Sequence, residues 1–190
     1  MLRAQFILVS ALSFLLPAVN AEQRVVDPRA SSLTVHVARA GLLSALGHDH
    51  EIAAPIASGS VDAGAGQVEL EVHAAELKVR DADISEKDRE EIQRTMLGPE
   101  VLDAERYPTI VFRASTVESR GSRAWTLRGN LTLHGQTRPV LIEVRESGGH
   151  YVGSSRFKQT EFNITPVKAA GGTIRVKDEI QISFDIQLSR

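Results

Sequence analysis

Residues 124–144, AWTLRGNLTLHGQTRPVLIEV, constrain this chain more than any other stretch. The run reads as two strands joined by a tight turn. Trp125, Leu127, Leu131 and Leu133 hold odd positions, whereas Val140, Ile142 and Val144 hold even ones. A two-residue turn at His134-Gly135 pairs Leu133 with Gln136, Leu127 with Ile142 and Trp125 with Val144. Both apolar sets then fall on one face of the hairpin. A three-residue loop without a bulge would put them on opposite faces, because side chains alternate strictly along a strand. The segment therefore specifies antiparallel sheet with one apolar and one polar face.

The same alternation recurs along the chain. Leu33, Val35 and Val37 oppose Thr34 and His36, and Val68, Leu70 and Val72 oppose Glu69, Glu71 and His73. Ile110 and Phe112 share a face. Ile180, Ile182, Phe184, Ile186 and Leu188 alternate with Gln181, Ser183, Asp185 and Gln187. Short strands punctuated by Gly, Asp and Asn indicate a sandwich or a barrel. Residues 85–97, SEKDREEIQRTML, break the pattern as one helix. Ser85 is placed to cap it, Gly98-Pro99 to end it, and Ile92 with Met96 to form its apolar stripe. About eight strands in one open sheet would leave a whole apolar face wet, so the sheet must curl or split into two layers. Barrel-facing side chains are mostly Val, Ile and Leu, with Phe112, Phe184 and Trp125 the larger ones. They can leave a lumen for one elongated ligand, and they can also fill it. The predicted lumen set is Leu33, Val35, Val37, Leu70 and Val72 from the first half. Ile110, Phe112, Trp125, Leu127 and Leu131 continue it, and Ile142, Ile182, Phe184 and Ile186 complete it.

The N-terminus reads differently. A basic start at Arg3 precedes an apolar run from Phe6 to Leu16, too short to span a bilayer. Pro17 and the small residues of Val19-Asn20-Ala21 follow, as a secretory signal requires. The expectation is cleavage after Ala21, with residues 22–190 forming one domain. Removing Arg3 with the signal leaves 21 basic against 24 acidic residues. No basic patch stands out, so nucleic acid is not expected as a partner. Cysteine is absent, which excludes disulfides and thiolate chemistry. No later stretch is long and apolar enough to span a membrane. Assembly as a homodimer is left open.

His48 and His50 are the sharpest candidates for chemistry. On a strand, residues two apart point the same way with Cα atoms about 6.5 Å apart. That suits two imidazoles on one metal or haem, with His36 or His73 as a further ligand, or two donors facing an anionic head group. It equally suits hydrogen-bonded histidines at a barrel mouth. His134 reads as a turn residue. The acidic run 81–91 lacks calcium-loop spacing and is interleaved with Lys87 and Arg89, so it reads as a solvated helix face. No Gly-x-Ser-x-Gly elbow, HExxH or phosphate-binding glycine loop occurs. No catalytic residue and no cofactor is nominated.

With these residues in hand, the chain resembles the YceI-like family. GNLTLHGQTRPVLIEV (residues 129–144) is similar to that family's most recognisable block. VDPRASSLTVHV (residues 26–37) resembles its opening strands, VLDAERYPTIVFRAS (residues 101–115) its post-helix segment, and DEIQISFDIQL (residues 178–188) its closing strand. Residues 157–172 depart from the family's Arg and Asp pattern. The resemblance implies an all-β fold, an antiparallel eight-stranded lipocalin-like barrel with one flanking α-helix. It also implies an exported, periplasmic or secreted protein that is not an enzyme. Its partner would be a polyisoprenoid, quinone or other long-chain lipid held in the lumen.

Overall fold

The structure, a computed structural model, describes residues 23–40, 49–169 and 174–189. The expected signal segment and His48 lie outside them. Twelve strands and one α-helix are present among the described residues. In chain order the strands are β1 (Arg24–Val25), β2 (Ser32–Ala40), β3 (His50–Ala53), β4 (Ile56–Asp62), β5 (Gln67–His73) and β6 (Lys78–Val79). After helix α1 (Glu86–Leu97) come β7 (Thr109–Ser119), β8 (Ala124–Leu133) and β9 (Gln136–Ser147). β10 (His150–Lys158), β11 (Lys168–Ala169) and β12 (Ile174–Gln187) follow.

All pair antiparallel in one curled sheet, ordered β1-β4-β5-β7-β8-β9-β10-β12-β2-β3-β6, with β11 on β12. The predicted hairpin is there: Leu133 pairs Gln136, Leu127 pairs Ile142 and Trp125 pairs Val144. His134 and Gly135 both take positive φ, 49° and 70°, as the tight turn that matches strand twist requires. His134 also points its Nδ1 at the Phe162 carbonyl, 3.1 Å away, and Tyr107 packs edge-on against its ring.

The pairing divides into twelve strands rather than the eight expected, for identifiable reasons. Pro55 has no N–H to give a ladder, and it separates β3 from β4. β3 pairs with β2 and β4 with β5, so the bent segment carries the sheet round a corner. β1 pairs with β4, while the adjoining Val26 bridges to Leu188 at the end of β12. Three register shifts add curl, in β4–β5, β7–β8 and β12–β2. The shift between Ala114 and Thr116 reverses parity within β7, so that Phe112 and Val117 both face inward.

α1 forms as its sequence specifies. The Ser85 side chain accepts from the Asp88 backbone N–H at 3.1 Å, satisfying one of the helix's unpaired donors. Met96 is buried and Ile92 half-buried. Gln93 fastens the helix to the sheet: its Oε1 accepts from Val79 N–H (2.9 Å) and its Nε2 donates to the Leu77 carbonyl (2.7 Å). The main core gathers at this end, where Leu77, Val79, Met96, Leu102, Leu133, Phe162 and Ile164 are all buried. Phe162 is 0% exposed and meets Phe157 edge-on at 5.2 Å. No helix among the described residues is long and apolar enough to cross a membrane.

Candidate functional site

The concave face of the sheet encloses a cavity of about 360 Å³. Alternation explains its lining. On β8 the inward positions are Trp125, Leu127, Leu131 and Leu133, and on β9 they are Val140, Ile142 and Val144. Outward positions on the same strands carry Arg128, Asn130, Glu143 and Arg145. All fourteen hydrocarbon and aromatic residues predicted for the lumen, from Leu33 to Ile186, line this cavity. Leu33, Trp125, Ile142, Ile182 and Phe184 are only partly buried although they face inward, because they border the void.

The two ends differ. One is covered by α1, the 98–108 loop and a short 3-10 turn at Gln159–Phe162, with Met96, Val101, Leu102 and Ile164 reaching the cavity. At the other end the lining consists of the β4–β5 turn (Asp62, Ala63, Gly66) together with Val68, Val117, Trp125 and Tyr151. Trp125 and Tyr151 approach with ring centroids 6.1 Å apart. Asp62 is occupied with its own turn, its Oδ1 accepting from Gly64 N–H (3.0 Å) and Ala65 N–H (2.8 Å).

Two inward glycines shape the void. A Cβ on Gly129 would lie 2.5 Å from the Phe112 ring, and one on Gly153 2.5 Å from the Phe184 ring. In each case the tip of the aromatic ring packs against bare backbone in the space a side chain would take.

β10 supplies a lining that the sequence reading missed. Tyr151, Ser155 and Phe157 face inward. Gly153, Ser154 and Ser155 dilute the apolar contrast of this strand, which hid it. Gln159, just beyond, also lines the cavity, outside any strand periodicity.

Of the readings offered for His50, the structure matches the hydrogen-bonded one. Its Nδ1 lies 2.6 Å from Asp81 Oδ2, and Asp81 Oδ1 accepts from Glu51 N–H at 2.7 Å. The Asp81 side chain is 4% exposed, so this pair ties β3 to the chain beyond β6. His50 does not line the cavity. No group of three or more His, Asp or Glu placed to hold a metal occurs among the described residues. His36 and His73, the suggested further ligands, have other neighbours: His36 Nε2 meets Ser183 Oγ at 2.9 Å, and His73 lies beside Glu71 and Glu76. The His36–Ser183 pair has the parity opposite to the cavity-lining Val35 and Ile182, and so stands on the outer face.

Comparison with known proteins agrees with the geometry. A family model described as the YceI-like domain matches residues 25–188. A UPF0312 protein of Pseudomonas savastanoi pv. phaseolicola is 29% identical over 132 residues, which is 64% of this chain and 62% of the relative's length. A UPF0312 protein of Shewanella denitrificans is 25% identical over 165 residues, 80% of this chain and 82% of that one. Among solved structures, Burkholderia cenocepacia BcnA superposes with a TM-score of 0.60 at 19% identity, covering 87% of this chain and 99% of that one. A Campylobacter jejuni YceI protein does so at 0.51 and 11% identity, covering 99% of both. At such identities these structures speak to the fold alone. With the model match running from the first strand to the last, the chain belongs to the YceI-like family.

Proposed function

We propose that this protein is an exported, non-catalytic binding protein that holds a long apolar molecule in its lumen. An isoprenoid, a quinone or another lipid chain is the class of ligand. The observation that carries this reading is the cavity of about 360 Å³, walled almost throughout by hydrocarbon side chains. That volume lies within the range of roughly 300–1,000 Å³ that ligand pockets occupy. Taking β3 and β4 as one strand bent at Pro55, with the two-residue strands as edging, supports reading the wall as an eight-stranded, lipocalin-like barrel. Binding strength comes from hydrocarbon burial, about 0.8 kcal/mol per CH₂, less the cost of ordering the chain.

Among the lining groups, Ser155 Oγ donates to the Leu141 carbonyl at 2.9 Å, so its proton is committed to the sheet. Export to the periplasm or beyond rests on residues 1–21, which read as a secretory signal.

Native mass spectrometry tests the reading. Protein recovered from the periplasm or medium is stripped of lipid and offered polyprenyl, quinone and fatty-acyl ligands. One-to-one adducts with a chain ligand are expected. Uptake of none of them overturns the proposal.

A further inference from the structure

The two ends of the lumen differ in their access to water. At the covered end the lining residues Leu77, Met96, Leu102, Leu133 and Ile164 are all buried. Two polar residues of the lining, Ser155 and Gln159, are buried as well and are tied to the sheet, Gln159 through a 2.8 Å bond from its Nε2 to the Lys177 carbonyl. At the opposite end the cavity reaches Ala63, which is exposed, and Asp62, Trp125 and Tyr151, which are partly exposed. Register carries the contrast past the lining. On β9 the inward series Val140, Ile142, Val144 is followed by Glu146, directly opposite Tyr151. On β7 Val117 is followed by Ser119, directly opposite Trp125. Glu146 Oε2 lies 3.4 Å from Arg123 Nε, so an anion and a cation are paired on this rim. The inward face thus changes from hydrocarbon to polar side chains within one residue pair. Trp125 and Tyr151, apolar rings that each carry a polar atom, stand at that boundary.

A polar head group loses its hydration when it is carried into a hydrocarbon lumen, whereas a chain gains by burial there. A head left at the rim keeps its water and meets Trp125, Tyr151, Ser119 and the Glu146–Arg123 pair. We infer that the bound molecule lies tail-first, its hydrocarbon terminus toward Met96, Leu102 and Ile164 and its polar head at the Trp125–Tyr151 rim. Because the head stays outside the wall, the lumen does not limit its size. The ligand class therefore extends to single-chain amphiphiles with bulky, hydrated heads. Along β8 the path from Trp125 to Leu133, both on the lining, covers about 26 Å at the rise of an extended strand, so the two ends of a bound chain lie far apart. The inference rests on the lumen being the binding site and adds the direction in which it is filled.

Trp125 is the chain's one tryptophan, so its fluorescence reports on the rim. The unaltered mature protein is titrated with hexadecanoate brominated either beside the carboxylate or at the far end of the chain, since bromine quenches an indole on close approach. Bromine beside the head should quench Trp125 strongly. Bromine at the tail should leave the emission where unbrominated hexadecanoate puts it. Calorimetry with n-dodecyl maltoside, kept below its micelle-forming concentration, gives a second readout. Its Kd should lie within about tenfold of that of n-dodecanol, because the sugar head stays in water. Tail bromine quenching as strongly as head bromine, quenching by neither although both bind, or exclusion of the maltoside while dodecanol binds overturns the tail-first orientation and leaves a lipid-binding lumen intact. Binding of none of these probes overturns both.

Discussion

Gly153 shows how one residue sets the shape of the void. Its backbone lies under the Phe184 ring and against the Glu143 carbonyl, so that any side chain would have to displace an aromatic ring or a strand. Gly153→Val should therefore destabilise the fold by about 1–3 kcal/mol through overpacking, read as a lowered midpoint in urea with an unchanged slope. His50 works by hydrogen bonding instead. Removing it leaves the buried Asp81 carboxylate with the Glu51 N–H as its remaining hydrogen-bond partner. His50→Ala should cost about 1–3 kcal/mol by the same measurement, and should leave lipid uptake intact because the ring does not reach the cavity. Loss of uptake at unchanged stability would return His50 to the binding site.

At the level of elements, legibility followed contrast. The β8–β9 hairpin, β12 and the first half of β2 could be read because bulky aliphatic residues alternate with charged or hydroxylated ones over whole strands. β4 could not, since IASGSVD offers three small residues, a glycine and a register shift that puts Ile56 and Val61 at opposite parity. β10 was hidden by the Gly153-Ser154-Ser155 run, and Gln159 by lying past the end of that strand. Fourteen of the lumen residues were accessible to periodicity; a lone amide in a turn gives periodicity nothing to detect. α1 was legible through its ends, where Ser85 caps the Asp88 N–H and Gly98 follows the last turn. Ser85→Ala should lower stability by about 1 kcal/mol. The helix is tied to the sheet through Gln93, so the loss should appear in the global unfolding midpoint. A purely local fraying of α1 by hydrogen exchange, with the global midpoint unmoved, would show that the covered end is a separate, weaker unit.

For the molecule as a whole, the void is a sacrifice of packing, since its lining atoms lack neighbours on one side. A chain built only for stability would fill such a space with its own side chains. Lumen occupancy and stability should therefore be exchangeable. Ile182 sits on β12 between the inward-facing Ile180 and Phe184 and lines the cavity. Ile182→Trp places an indole in that space, and the free protein should keep its melting temperature or gain a little. In the unaltered protein, a lipid at one hundred times its Kd adds about 2.7 kcal/mol to stability. For a domain of this size that raises the melting temperature by roughly 5–11 °C. The same lipid should leave the Ile182→Trp melting temperature where it was. A full ligand-induced rise in the variant would place the bound lipid somewhere other than this lumen.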